Sequence, residues 1–281
     1  MEASLKNKIF DDIKKNGYLT ELNVGEKFRK KGWRVQYNQA YLDQDLNKSR
    51  EIDLVAIYSI PTKTVSAAWV SIHLAIETKK SERPWVVFCS PKDNYAEDLS
   101  LHFNSTIRNN FSFPLLNKEA KGYIRNKIPF RGRNYYEAFK SYNETSKIYE
   151  AVLSSSKAAR YLKEKEDEYY KNTELDFKFN EPITIKIFLP LIILDGQLVK
   201  AIIDNNGEPQ LDDADYIPIV AYYHDNKGYE VTLSPDLITF KYLDGYVASI
   251  EKWIGILTKK IENGRESLWK EFMKSNQENT Q

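Results

Sequence analysis

Three apolar segments follow one another closely, at residues 52–58, 70–78 and 85–89, and two of them carry charge where a buried strand usually carries none. Asp53 stands near the start of the first, in Ile52-Asp53-Leu54-Val55-Ala56. The second closes on Glu77-Thr78-Lys79-Lys80. Acids are rare in such runs unless they are paired or bind a metal. Residues i and i+2 of a strand share a face, so Glu77 and Lys79 project together. Carboxylates on adjacent strands repel each other unless a cation lies between them. Magnesium takes one or two carboxylates, completing its shell with water and substrate phosphates. A metal held there lowers the pKa of its water and clamps a phosphoryl oxygen. Lys79 on the same face would position and help deprotonate the attacking water, or stabilise developing negative charge. The backbone carbonyl of Thr78 offers a further metal ligand.

The rest of the chain can be placed around this stretch. Residues 4–15 and 19–31 read as two helices, the second stopped by Gly32. Residues 33–37 alternate as a strand, 43–49 are polar and turn-like, and 61–64 suit a hairpin turn. Residues 94–110 read as helical, 111–134 as irregular, and 136–170 as a long helix with a soft point at Ser154-Ser155-Ser156. In the second half, 183–194 and 198–203 are apolar and joined by Asp195-Gly196, a strong hairpin signal. A second hairpin is expected from 216–223 and 229–233. A closing amphipathic helix is expected over 243–261, followed by a polar, frayed end at 275–281. Without a linker or internal repeat, one domain over 1–281 is expected. Its parts are a core motif region at 19–90, a helical region at about 94–171, a β-rich extension at about 183–233 and a closing helix at about 243–262.

A helix carrying Glu21, a strand, Arg50-Glu51-Ile52-Asp53, and then Glu77-Thr78-Lys79 ending an apolar strand together resemble the PD-(D/E)xK nuclease superfamily, and the wording around the motif is similar to that of uncharacterised bacterial members. The resemblance covers residues 19–90. It implies an α/β fold with a restriction-endonuclease-like core, a mixed sheet flanked by helices in α-β-β-β-α-β order, here with a helical insertion and a β-rich C-terminal extension. It also implies a Mg²⁺-dependent DNA endonuclease, with Mn²⁺ as a substitute ion, and a restriction or host-defence role. Asp53, Glu77 and the Thr78 carbonyl would hold the metal, Lys79 would be the catalytic lysine, and Glu21 would face the metal's water shell, with Glu26 in reserve. Ile52 replaces the motif's proline. The different-class alternative is a non-catalytic DNA-binding or assembly module of the same fold, and the plainest reading is an unrelated α/β protein in which these residues are surface ions.

Forty-one basic residues against 40 acidic leave a net charge of +1, so any polyanion site must be a local patch. The candidate is 118–136, where Lys121, Arg125, Lys127, Arg131 and Arg133 are interleaved with Tyr123, Phe130, Tyr135 and Tyr136, a pattern suited to a phosphate backbone and stacked bases. A solvated loop with core aromatics is its plainer reading. The single cysteine, Cys89, excludes an internal disulfide and suits a reducing cytoplasm. His73 reads as a core histidine, and His102 has no evident partner. The acids at 204–215 lack the calcium-loop pattern and read as solvated turns. Neither a phosphate-binding glycine loop nor a zinc spacing is present. A signal peptide and a membrane span are not expected, so DNA, and a second copy of the chain, are the partners left open for a cytoplasmic protein.

Overall fold

The computed structural model describes residues 3–15, 17–60, 68–92, 105–108, 120–141, 146–172 and 183–278, the last without its side chains from 262. Two helices lead, α1 (Ala3–Lys15) and α2 (Tyr18–Lys30), followed by the strands β1 (Arg34–Asp43), β2 (Lys48–Ile60), β3 (Ala68–Lys80) and β4 (Trp85–Pro91). Then come β5 (Ser105–Arg108), a single helical turn α3 (Ile124–Lys127), β6 (Phe130–Glu137) and the long helix α4 (Lys147–Asn172). The second half holds β7 (Ile183–Asp195), β8 (Leu198–Ile203), β9 (Pro209–Asp213), β10 (Tyr216–Pro218), β11 (Ala221–His224), β12 (Glu230–Leu233) and β13 (Asp236–Thr239). It ends in α5 (Leu243–Glu278). None of the described helices is long and apolar enough to cross a membrane.

The main sheet is mixed, in the order β1-β2-β3-β7-β13-β10. β1, β2 and β3 form an antiparallel meander, and β7 joins β3 in parallel along its whole length. β7 is apolar at nearly every position because both of its faces are covered. Ile185, Ile187, Leu189, Leu191 and Ile193 face one cluster, and Ile192 and Leu194 face another. Pro190, an unusual residue for an interior strand, falls in the gap between the segment paired with β5 and the segment paired with β13. There the ladder does not need its missing N–H. α2 and α5 cover one face, packing Val24, Phe28, Tyr246, Trp253 and Leu257 against Leu54, Leu74 and Ile76. On the other face Ala158 and Ala159 of α4 meet Val55 and Ala75. These small alanines let the helix approach the sheet closely.

A second sheet, β6-β4-β8-β9, packs beside the first. β3 and β7 cross into it together. The amide of Ser81 donates to the carbonyl of Asp195, that of Trp85 donates to the carbonyl of Gln197, and β4 and β8 then resume as a parallel pair. Gly196 permits the crossing, since a Cβ there would lie 2.6 Å from the Ser81 carbonyl oxygen.

Several expectations are corrected by this arrangement. Residues 85–89 are not the next strand of the main sheet; that place belongs to β7, which is central rather than part of a C-terminal extension. The Asp195-Gly196 dipeptide joins two sheets and makes no hairpin. Residues 105–108 form a strand where a helix was expected, and 130–137 form one across the segment expected to be irregular and the start of the long helix. Ser154-Ser155-Ser156 does not interrupt α4. The expected hairpin near 225–228 is present as β11 and β12, while 216–218 joins the main sheet instead. The closing helix runs past 261 to Glu278, so 275–278 are helical rather than frayed, while the turn at 61–64, the helix expected over 94–104 and the chain end at 279–281 lie outside the described residues.

Candidate active site

The β2–β3 ladder runs down to the pair Leu54–Ile76. Asp53 and Glu77 come next, where the two strands part. On the other edge of β2, Tyr37 lies opposite Leu54 and Gln39 opposite Ile52, while Asn38 between them takes φ 49°. A left-handed residue inside an antiparallel pair acts like a bulge and re-aims its neighbours. As a result Ile52 and Val55, of opposite parity, reach the same cluster beneath α4.

Asp53 is clamped to β3. The amide and the hydroxyl of Thr78 both donate to its Oδ2, at 2.7 and 2.9 Å. Glu77 is only 7% exposed. Its Oε1 accepts from Lys79 Nζ at 2.5 Å, and its Oε2 accepts from Ser154 Oγ on α4 at 3.0 Å. Ser154 in turn meets the Tyr41 hydroxyl from the end of β1 at 3.5 Å. Glu21 lies on α2 within the electrostatic reach of Asp53, Glu77 and Lys79, and the first turn of α2 is tied to the end of β7 by Thr20 Oγ1 donating to Asp195 Oδ2 at 2.9 Å. Glu26 instead accepts from Arg29 at the surface.

The electrostatics show how crowded the acids are. Burial first, and then the charge of Asp53, push the Glu21 carboxyl up to about 7, with Lys79 opposing and Glu77 adding to the rise. Burial and Asp53 also raise Glu77, against the pull of Lys79. Burial works against the charge on Lys79, yet Glu77 holds its ammonium above the ordinary value. Glu77 alone holds the lysine, while the charges of Asp53, Glu77 and Glu21 disfavour one another. The donor set is all oxygen, which suits a hard divalent cation such as Mg²⁺. Among the described residues no three or more His, Cys, Asp or Glu side chains are gathered at metal-binding spacing. The two strand carboxylates are engaged by Thr78, Lys79 and Ser154, and two carboxylates plus a carbonyl and water meet the needs of Mg²⁺. Thr78, expected through its carbonyl, meets the site through its N–H and hydroxyl, which hold Asp53.

An open groove of about 780 Å³ lies over Glu77 and Lys79, walled by residues 48–51 of β2 on one side and by the first half of α4 on the other. The basic segment expected to contact nucleic acid does not line it. Within that segment two expectations fail outright. Arg125 is 1% exposed, with Nη1 donating to Asp236 Oδ1 and Nη2 to the Ile219 carbonyl. Arg131 is fully buried and donates to the carbonyls of Ile128 and Phe130. Arg133 is half-buried and donates to Ser90, while Lys121 and Lys127 are exposed. Lys118 and Glu119 lie outside the described residues.

Other sequence candidates fall into structural places. His73 stacks near Phe188 and bonds Ser71; burial, followed by Lys186 and Arg34, depresses its pKa to about 3. Burial pushes the Cys89 thiol up to about 12, far from a thiolate nucleophile. Asp204 binds the amides of Asn206 and Glu208 in a turn. His102 lies outside the described residues. Reading the sequence missed Ser154, Tyr41, Asp43 and Lys157. The one available signal was the run of three serines inside a helix, where serine is a poor choice.

Comparison with protein-family models, with curated proteins and with solved structures yields no match for this chain.

Proposed function

We propose that this protein is a metal-dependent endonuclease that hydrolyses DNA phosphodiester bonds on a core of the PD-(D/E)xK kind. One observation carries the reading: where β2 and β3 part, Glu77 pairs with Lys79 beside Asp53, itself held by Thr78, and the charges of all three act on Glu21 of α2. The element order supports it, since α2, β1, β2, β3, α4 and β7 run α-β-β-β-α-β around one mixed sheet. Asp53, Glu77 and the Thr78 carbonyl would hold Mg²⁺ or Mn²⁺. When bound, the cation supplies a lowered water pKa and positive charge for a phosphoryl oxygen.

The chain's own groups do the rest. The Lys79 ammonium, kept charged by Glu77, donates to the oxygen on which negative charge develops as the water oxygen bonds to phosphorus and gives up its proton to solvent, while the bond to the leaving sugar oxygen breaks and that oxygen takes a proton from solvent. Glu21 accepts a hydrogen bond from the attacking water and orients it. Thr78 fixes Asp53, and Ser154 fixes Glu77, so that neither swings on its strand. The test is cleavage of supercoiled plasmid DNA with Mg²⁺, with EDTA, and by Lys79→Ala. Nicking that requires Mg²⁺ and Lys79 is expected; nicking indifferent to both disposes of this mechanism, and no nicking with Mg²⁺ favours the non-catalytic module.

A further inference from the structure

We propose that the DNA backbone lies in the groove between the start of β2 and the first half of α4, with Lys48, Arg50 and Lys157 taking its phosphates. This rests on the endonuclease reading and names the surface that would serve it. Glu77 and Lys79 lie in this groove, so a scissile phosphate must pass through it.

The cations come from both walls, and one acid, Asp43, holds two of them, Arg50 and Lys157. Asp43, 3% exposed, accepts from Arg50 Nε at 3.1 Å through Oδ2 and from Lys157 Nζ at 2.9 Å through Oδ1. Lys157 also reaches Asp45 at 2.7 Å. The Arg50 side chain is 45% exposed, and Nε is the atom it gives to Asp43. That leaves the outer N–H groups of the guanidinium for a two-pronged phosphate contact. Lys48 is exposed two residues earlier on the same strand. On the α4 wall Tyr149 is 49% exposed and offers a ring face to a sugar or base. Glu51 and Glu150 also line the groove, and their charge restricts where a phosphate can sit. The basic segment at 120–136 is a poorer candidate, because two of its arginines are spent inside the protein.

The measurement is fluorescence anisotropy of a fluorescein-labelled DNA duplex titrated with the full chain in EDTA, over a range of salt. Lys48→Gln and Arg50→Gln should each weaken binding by about tenfold and flatten the slope of log K against log salt by about one. Lys252→Gln and Lys259→Gln, exposed on α5 across the sheet, should change neither. Lys157→Gln leaves Asp43 and Asp45 facing each other, so its result counts only if its thermal melt matches the wild type. The idea is overturned if the wild type binds no duplex, or if Lys48→Gln and Arg50→Gln bind normally while Lys121→Gln and Lys127→Gln do not. Asp53→Asn separates the two readings. If the groove variants lose binding and the wild type never cleaves, the binding surface stands and the endonuclease falls. If the wild type cleaves, Asp53→Asn does not, and Arg50→Gln binds and cleaves normally, the groove falls alone.

Discussion

Two polar clusters lie inside this protein, and they are built to opposite rules. Around Asp236, which is 2% exposed, every acceptor is filled. Oδ1 takes Arg125 and the Tyr216 hydroxyl, and Oδ2 takes the hydroxyls of Tyr123 and Tyr246. One carboxylate meets one guanidinium, and three phenols, all pushed well above their usual pKa by burial and then by Asp236, stay neutral. This knot ties α3, β10, β13 and α5 together. At the parted ends of β2 and β3, Glu77 pairs with a single lysine under the added charge of Asp53 and Glu21, and Glu77 and Lys79 line an open groove. The closed cluster stabilises the fold. The open one holds unbalanced charge that a cation and a phosphate would complete, as expected of a site rather than a scaffold.

Breaking each cluster should therefore give different results. Asp236→Ala strands Arg125 without its carboxylate and should cost about 3–5 kcal/mol of stability, read from urea denaturation. A loss below about 1 kcal/mol would remove the structural role assigned to it. Lys79→Ala should do the reverse. Cleavage should fall by about 10²–10³-fold, as for loss of one preorganised donor, while stability falls less than in Asp236→Ala, because Glu77 can take up a proton once its partner is gone. A variant that unfolds instead would make Lys79 part of the scaffold.

A smaller effect tests the link between α4 and the site. Ser154 donates to Glu77 Oε2, so Ser154→Ala should leave the fold intact but weaken metal support by about 10-fold, the usual scale for a group that orients a ligand. The readout is the Mg²⁺ concentration for half-maximal cleavage, with Ser154→Thr restoring part of the loss. An unchanged Mg²⁺ requirement in Ser154→Ala would reduce that hydrogen bond to a packing detail.

The two clusters were not equally legible in the sequence. Asp53, Glu77 and Lys79 could be read because they break a local rule, charge within an apolar strand, and because i,i+2 spacing is enough to place Glu77 and Lys79 on one face. Arg125 and Arg131 looked like phosphate contacts because local composition around them is basic and rich in turns. Their burial depends on Asp236 and the Ile219 carbonyl for Arg125, which lie far along the chain, and on backbone carbonyls for Arg131. Periodicity likewise announced the strands at 85–89 and 183–194 but not their sheets. Sheet membership is decided by pairing between distant segments and, at the crossing, by the close approach of Gly196 to Ser81. Ser154 could not be assigned to the site until α4 was placed over β3.

The smallest effect bears on the unbalanced charge itself. Glu21 titrates near 7 in the folded, metal-free protein and near 4.5 when unfolded, because burial and Asp53 disfavour its charged form. Below about 4.5 it is protonated in both states and contributes nothing. From about 4.5 to 7 the unfolded chain gives up the proton and the folded protein keeps it, so stability falls as pH rises, and above that the loss is constant. Because the group is only half-buried, solvent should screen the penalty to about 1 kcal/mol. Glu21→Gln removes it. In EDTA the variant and the wild type should melt together at pH 4, with the variant a few degrees higher at pH 8. Mg²⁺ should then narrow that gap by stabilising the wild type more. A gap of equal size at both pH values would mean that Glu21 does not share the crowded charge of Asp53 and Glu77, and the open cluster would shrink to the two strand carboxylates and their lysine.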